Sequence, residues 1–173
     1  TQGVSSAASD VYKRQVIIMA NKDAVSHMGV ELIGEIMRYV GNASKVPVAV
    51  HLDHATDLEI IRAAVDCGYT SVMFDGSQLS FEENVEKTKR VVEMAHKKGV
   101  SVEAEIGAVG YSDPNIQFKA RFTEPQEARR FAELTGVDAL AVAIGTVHRM
   151  ELQHAQLQFE RLKEIAQQVD VPL

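Results

Sequence analysis

The sequence predicts an α/β protein built on a parallel sheet, and three observations support this prediction. Short apolar runs alternate with amphipathic segments from residue 16 onward. Three glycines, Gly68, Gly99 and Gly136, stand where amphipathic segments end. Each of these segments begins with a pair that has the S/T-x-x-E/Q spacing of a helix-start capping box, namely Thr56 with Glu59, Ser80 with Glu83, and Thr123 with Gln126. This alternation favours a serial βα repeat over an all-α or all-β chain, and strands joined in series by helices must run parallel. The local pattern leaves open whether the sheet is doubly wound or closed into a barrel.

Strands and helices alternate without interruption in the predicted order. The apolar runs that predict strands cover residues 16–20, 46–53, 69–75, 100–106 and 137–144. The amphipathic segments that predict helices cover residues 28–40, 56–68, 80–98, 123–136 and 159–169. Residues 16–22 contain no glycine, so the first strand is not followed by the G-x-G-x-x-G motif of a dinucleotide-binding fold.

Composition and charge narrow the class of protein. An apolar content of 46% and a charged content of 24% in 173 residues are typical of one globular domain with a sizeable core. The net charge of −6 gives no general attraction to nucleic acid or to anionic membranes, and no apolar run approaches the roughly 18 residues of a membrane span. We therefore expect a small-molecule partner. The single Cys67 cannot form an internal disulfide, which favours a cytoplasmic location.

The beginning of the chain differs from the rest. Residues 1–15 are polar and poorly periodic, and they lack the long apolar core of a signal peptide. They resemble read-through from a cloning or sequencing adaptor. We therefore predict a non-native segment over residues 1–15 and a folded domain over residues 16–173.

The most informative stretch is V-P-V-A-V-H-L-D-H-A-T-D-L-E at residues 46–59. Here an apolar strand ends in His51, Asp53 and His54, three residues whose side chains can bind a metal or transfer a proton. Strand periodicity places His51 and Asp53 on one face, after which His54 is predicted to enter the loop. Taken alone, a histidine at a strand end is more often a hydrogen-bonded residue than a metal ligand.

The next three predicted strands carry similar residues at their carboxyl ends. Asp75 ends the third strand, Glu103 and Glu105 share one face of the fourth, and His148 follows the fifth. Two carboxylates on an interior face repel each other and lose hydration unless a cation or hydrogen bonds compensate. The alternatives are that Asp75 is a turn residue before Gly76 and that the two glutamates pair with neighbouring strands. Because successive strands carry acidic or histidine residues at the same edge of the sheet, the pattern favours a metal site.

Five motifs occur in order along most of the chain after residue 15. They are H-L-D-H at residues 51–54, S-V-M-F-D-G-S at 71–77, E-E-N at 82–84, S-V-E-A-E-I-G at 101–107 and T-G-V-D-A-L-A-V-A-I-G-T-V-H at 135–148. This series resembles the class II, metal-dependent fructose-bisphosphate and tagatose-bisphosphate aldolases. The resemblance implies a TIM (β/α)8 barrel, and because such a barrel needs at least about 200 residues, we expect a partial barrel that lacks the last strands.

The resemblance also implies an activity. The implied reaction is the reversible aldol cleavage of fructose-1,6-bisphosphate, or a related ketose bisphosphate, to dihydroxyacetone phosphate and an aldehyde phosphate, a lyase step of glycolysis and carbohydrate metabolism. Zn²⁺ or another divalent metal is the implied cofactor, and the full-length protein is expected to form a homo-oligomer. A Schiff-base aldolase would need a lysine inside a strand, and no predicted strand interior contains one.

Site residues are carried over from the resemblance by position. Asp53 matches the catalytic residue that exchanges a proton with the aldehyde oxygen. The implied metal ligands are His54, Asp75, Glu105 and His148, of which the two carboxylates match a more buried metal position. His51 and Glu103 are expected to support them.

The sequence departs from the family pattern at three places. The third metal-binding histidine of the family lies on a strand that would begin at residues 171–173, so we expect this fragment to be inactive. Asp113 is the only carboxylate near the position of the family's loop glutamate, and Arg149 replaces a glycine. These departures leave a second hypothesis open, a non-catalytic barrel relative that binds a sugar phosphate or a metal.

Overall fold

A computed structural model describes residues 15–111, 120–148 and 155–173 of the chain. Its strands are β1 (Val16–Asn21), β2 (Val48–Ala55), β3 (Ser71–Phe74), β4 (Ser101–Ile106), β5 (Gly110–Tyr111), β6 (Ala139–Val142) and β7 (Val147–His148). Its helices are α1 (Lys22–Met28), α2 (Val30–Asn42), α3 (Leu58–Asp66), α4 (Phe81–His96), α5 (Pro125–Thr135) and α6 (Phe159–Ala166). Strands and helices alternate along the described chain, so the fold is α/β, as predicted.

The main sheet has five strands in the order β1-β2-β3-β4-β6. The pairs β1–β2, β2–β3 and β4–β6 are parallel, with Val16 of β1 opposite Val48 of β2 and Glu103 of β4 opposite Ala139 of β6. These five strands correspond to the five apolar runs of the sequence, and they are adjacent in chain order. The two-residue strands β5 and β7 form a separate parallel pair, which the sequence did not predict.

The described residues fall into two compact units, one with residues 15–74 and 94–101, and the other with residues 75–93, 102–111, 120–148 and 155–173. In the first unit, the apolar side chains of β2 and β3 are buried under α3, as Leu52, Val72 and Ile61 show. Tyr69 is also buried, and its hydroxyl donates to the carbonyl of Val30 at 3.0 Å. This bond ties the start of β3 to the first turn of α2.

The core of the second unit lies on one face of β4. Val102, Ala104 and Ile106 alternate along β4 and are all buried, so they form an apolar face of this strand. Phe131 of α5 and Ile165 of α6 are also fully buried in this unit. Among the described helices, none has the length and apolar content needed to cross a membrane.

Helix starts agree only partly with the sequence. Ser80 and Glu83 form the predicted capping box, since the Glu83 amide donates to the Ser80 hydroxyl and the Glu83 carboxylate accepts from Ser80. At α3 the predicted Thr56 cap is wrong, because Asp57 is the N-cap and accepts from the Glu59 amide at 2.8 Å. An aspartate one residue later is the better acceptor for this helix start.

Two further helix predictions need correction. The helix predicted over residues 28–40 is observed as α2, which begins at Val30, and the sequence did not predict α1, which ends at Met28 just before Gly29 with a φ of 82°. The predicted cap at Thr123 is also wrong. Glu124 is the N-cap of α5 and makes no side-chain cap bond, while Pro125 occupies the first turn. The Thr123 hydroxyl is instead used in buried bonds elsewhere.

Candidate metal centre

A bulge in β2 sets the positions of Asp53 and His54. Leu52 pairs with Val72 and Ala55 pairs with Phe74, so Asp53 and His54 together lie opposite the single residue Met73. His54 has a φ of 50°, the only positive φ among the described non-glycine residues. The prediction that His54 enters the loop is therefore wrong, because β2 continues to Ala55. An extra residue in one strand re-aims the side chains beside it.

His51 is buried two residues before Asp53. Its Nδ1 lies 2.7 Å from the Ser71 hydroxyl of β3, a hydrogen bond that links the two strands by their side chains. Burial lowers the pKa of His51, an effect that the neighbouring Asp53 opposes and His54 reinforces. The imidazole is therefore held in its neutral form at neutral pH.

Asp75 follows β3 and is a turn residue, which was the alternative to a metal ligand in the sequence analysis. Its Oδ1 accepts from the Ser77 amide at 3.1 Å and from the Ser77 hydroxyl at 2.6 Å. This arrangement orients the carboxylate with one oxygen engaged in the turn. The turn role and a ligand role are therefore compatible for this residue.

Glu105 is the most buried of the predicted site residues, with 1% of its surface exposed. Its Oε1 accepts from the Val109 amide at 3.1 Å, and its carbonyl accepts from the Asn84 side chain at 2.9 Å. Glu103, two residues earlier on β4, is half-buried. An ionised carboxylate at such depth requires compensation by donors or by a cation.

One nitrogen of His54 and one carboxylate oxygen from each of Asp75 and Glu105 all lie within 4.8 Å of one another. An imidazole nitrogen and two carboxylate oxygens form a donor set that suits Zn²⁺ and other divalent ions. Two carboxylates this close repel each other, and a cation between them would remove that repulsion. The residues present therefore fit a divalent metal.

The other predicted site residues lie outside this group of three. His148 is half-buried in β7, where it pairs with Tyr111 of β5 along the backbone. Asp53 is half-buried beside His54 in the bulge. Their roles as metal ligand and catalytic residue stay predictions. Asp113 and Arg149 fall outside the described residues.

Sequence reasoning missed the polar side chains that hold the backbone of the site. Asn84 and Thr88 are buried in α4, next to the buried Val85. A signal was present, because residues 81, 84, 85, 88 and 92 share one helical face and two of them are polar. Polar residues inside an apolar stripe indicate a specific buried partner.

Comparisons with known proteins show similarity over the whole chain. Residues 1–173 match the family described as "Fructose-bisphosphate aldolase class-II". Among solved structures, the YdjI aldolase from Escherichia coli K12 is 36% identical with a TM-score of 0.80, covering 97% of this chain and 58% of its own. The chain thus spans less than two thirds of that relative's length.

Two other solved structures are similar. A putative fructose-1,6-bisphosphate aldolase from Coccidioides immitis is 31% identical with a TM-score of 0.83, covering 95% of this chain and 59% of its own. A fructose-bisphosphate aldolase from Campylobacter jejuni is 22% identical with a TM-score of 0.74, covering 95% of this chain and 56% of its own, and it supports the fold alone. The five parallel strands and their helices are accordingly part of a TIM barrel.

Proposed function

Because the chain belongs to the class-II fructose-bisphosphate aldolase family, we propose that it is part of a metal-dependent ketose-bisphosphate aldolase. The observation that carries the proposal is the group formed by His54, Asp75 and Glu105. The proposed reaction is reversible cleavage of fructose-1,6-bisphosphate, or a related ketose bisphosphate, to dihydroxyacetone phosphate and an aldehyde phosphate. We assign it to the complete protein, since this chain spans 58% of the YdjI aldolase.

In this proposal His54, Asp75 and Glu105 hold a divalent cation, which is Zn²⁺ or another divalent metal. His148 contributes a second imidazole. A bound divalent cation supplies positive charge that polarises a substrate carbonyl and stabilises the negative charge that develops as the adjacent carbon–carbon bond breaks. The turn at Asp75 and the Val109 amide at Glu105 orient the two carboxylates before any ligand binds.

Asp53 is proposed to move the proton. In the cleavage direction its carboxylate accepts the proton of the hydroxyl on the carbon that becomes the aldehyde, and in the condensation direction it returns that proton. Asp53 is half-buried, which leaves it reachable by substrate. His51 would support it by fixing β2 against β3 through Ser71, and Glu103 would support Glu105 on the same strand.

Metal binding by the purified chain is the direct test. We expect zinc affinity, measured by competition with a chromophoric chelator, to fall at least about 10-fold in His54→Ala, because a ligand is lost. His27→Ala is the matched control, since His27 is exposed in α1 and should leave the affinity unchanged. Equal affinity in both variants would contradict the proposed site.

Activity in the complete protein tests the reaction. We expect a chelator to abolish cleavage of a ketose bisphosphate, added zinc to restore it, and borohydride with substrate to trap no adduct. Asp53→Ala should retain the metal and lower kcat by roughly 10²- to 10⁴-fold, as expected for loss of a proton-transfer group. Metal and ligand binding without turnover in the wild type would favour the non-catalytic alternative.

Three further expectations belong to the same proposal. The complete protein is proposed to be a cytoplasmic enzyme of carbohydrate metabolism. It is also proposed to be a homo-oligomer, and sedimentation of the full-length protein would test its oligomeric state. The 173-residue chain alone is expected to turn over little substrate, because it spans less than two thirds of its relatives. A coupled assay on the purified chain measures this directly.

A further inference from the structure

A chain of buried hydrogen bonds leads from α4 to Glu105. The Thr88 hydroxyl donates to Oδ1 of Asn84 at 3.1 Å, and Nδ2 of Asn84 donates to the Glu105 carbonyl at 2.9 Å. Thr88 has 0% and Asn84 has 4% of its surface exposed. Because Thr88 occupies the amide oxygen, the amide nitrogen is the group turned toward Glu105.

The segment that Asn84 contacts is held from other directions as well. The Glu105 carboxylate accepts from the Val109 amide, and the next carbonyl, that of Ile106, accepts from the Thr123 hydroxyl. Thr123 is fully buried and also accepts from the Ala143 amide at 2.8 Å. The end of β4 is therefore fixed by side chains at two successive carbonyls.

We propose that Asn84 is a positioning residue for the Glu105 carboxylate, an inference that rests on the proposed metal site. A ligand must be held close to its productive geometry, and the groups that hold it are residues with locked side chains. Asn84 meets this requirement, since its amide is fixed by Thr88 and bonds to the backbone of the ligand itself. Val85 and Val92 on the same face are buried and apolar, so the polar Asn84 stands out among them by its bond to Glu105.

Two measurements on the purified chain test the role of Asn84. Asn84→Leu keeps the branched shape of the side chain and removes the donor, so we expect zinc affinity to fall by about 10- to 100-fold, the range seen when groups that support a ligand are removed. In the metal-free chain, amide exchange of Val109 should accelerate by about 5- to 10-fold, because its bond to the Glu105 carboxylate weakens. The Ala143 amide serves as an internal reference that should not change.

Thr88 provides a second, milder route to the same effect. Thr88→Val removes the hydroxyl that fixes the Asn84 amide, so zinc affinity and Val109 protection should fall less than in Asn84→Leu. Thr88→Ser keeps the hydroxyl and should restore both. If Asn84→Leu fails to fold, the comparison of Val and Ser at position 88 decides the question.

A matched control separates positioning from stability. Thr135 is buried in α5 and its hydroxyl donates to the Phe131 carbonyl at 2.7 Å, so Thr135→Val also removes a buried hydrogen bond. This variant should lower Tm and leave zinc affinity and Val109 exchange unchanged. Unchanged zinc affinity in Asn84→Leu and Thr88→Val, or changes of equal size in Thr135→Val, would overturn the inference.

The same data distinguish failure of the metal site from failure of this inference. A wild-type chain that binds no zinc would remove the proposed site. Faster Val109 exchange in Asn84→Leu would then still show that Asn84 positions the carboxylate, and unchanged exchange would overturn that as well. Normal zinc binding by both wild type and Asn84→Leu would overturn only the positioning role.

Discussion

His54 adopts a left-handed backbone, which costs a residue with a Cβ roughly 1–2 kcal/mol. The cost arises at the bulge where Asp53 and His54 lie opposite Met73. In a regular strand, two consecutive side chains point to opposite faces. The bulge changes that alternation at the two residues assigned to proton transfer and metal binding, so the strain coincides with the proposed site.

Substitution by glycine tests whether His54 is strained. His54→Gly should be more stable than His54→Ala by about 1 kcal/mol, because glycine adopts a positive φ without steric cost. At Asp53, where φ is not positive, the order should reverse and Asp53→Gly should be less stable than Asp53→Ala by about 0.5–1 kcal/mol. Urea unfolding of the four metal-free variants measures both differences. If His54→Gly were no more stable than His54→Ala, the backbone at His54 would not be strained.

At the scale of elements, apolar periodicity predicted which segments form strands and helices, and helix starts were harder to predict. The spacing of Ser80 with Glu83 and that of Thr123 with Gln126 are alike in sequence. Only the first forms a capping box, because the Thr123 hydroxyl is engaged by the Ile106 carbonyl and the Ala143 amide. Local spacing cannot show that a distant pair of strands will compete for a hydroxyl.

Helix α2 packs closely against the ring of Tyr69 at Gly34. A Cβ added at Gly34 would lie 2.5 Å from Cε2 of the Tyr69 ring, which is buried and anchored to the Val30 carbonyl. We therefore expect Gly34→Ala to destabilise the fold by about 1–3 kcal/mol, as overpacking does. Gly41 lies in the same helix and its added Cβ would meet Val48 at an ordinary 3.4 Å, so Gly41→Ala should be neutral or stabilising by up to about 1 kcal/mol.

Thermal or urea unfolding of the two glycine variants gives the comparison. Both variants replace a glycine of α2 by alanine, so the gain in helix propensity is common to both and cancels in the comparison. If Gly34→Ala were as stable as Gly41→Ala, the ring of Tyr69 would have to move freely, and its bond to Val30 would not restrain α2.

At the scale of the whole chain, the order of the sheet followed from the serial repeat, because helices connect each strand to a parallel neighbour. The carboxyl ends of such strands share one edge, which is why His54, Asp75 and Glu105 could be grouped from the sequence. The pairing of His148 with β5 could not be predicted, since β5 and β7 have two residues each and no periodicity. The role of Asn84 needed the contact between α4 and the end of β4.

Exposed apolar side chains on α2 lead to the last prediction, which concerns self-association. Leu32, Ile36, Tyr39 and Val40 repeat at helical spacing and are exposed, Tyr39 to 78%. Exposed apolar stripes of this kind indicate contact surfaces or aggregation sites. In the described part of the chain, β1 has a single sheet neighbour, β2, and carries the exposed Ile17 and Met19. Edge strands add to the tendency to associate.

We therefore expect the purified chain to sediment as larger species as its concentration rises. Ile36→Lys should shift this association to higher concentration, because it places a charge in the middle of the α2 stripe. Leu134→Lys is the matched control, since Leu134 is an exposed apolar residue of α5 and receives the same charge. Sedimentation velocity on the three proteins separates a specific effect of the stripe from a general effect of net charge. Equal association of all three would show that α2 does not mediate it, and a monomeric wild type at every concentration would remove the prediction altogether.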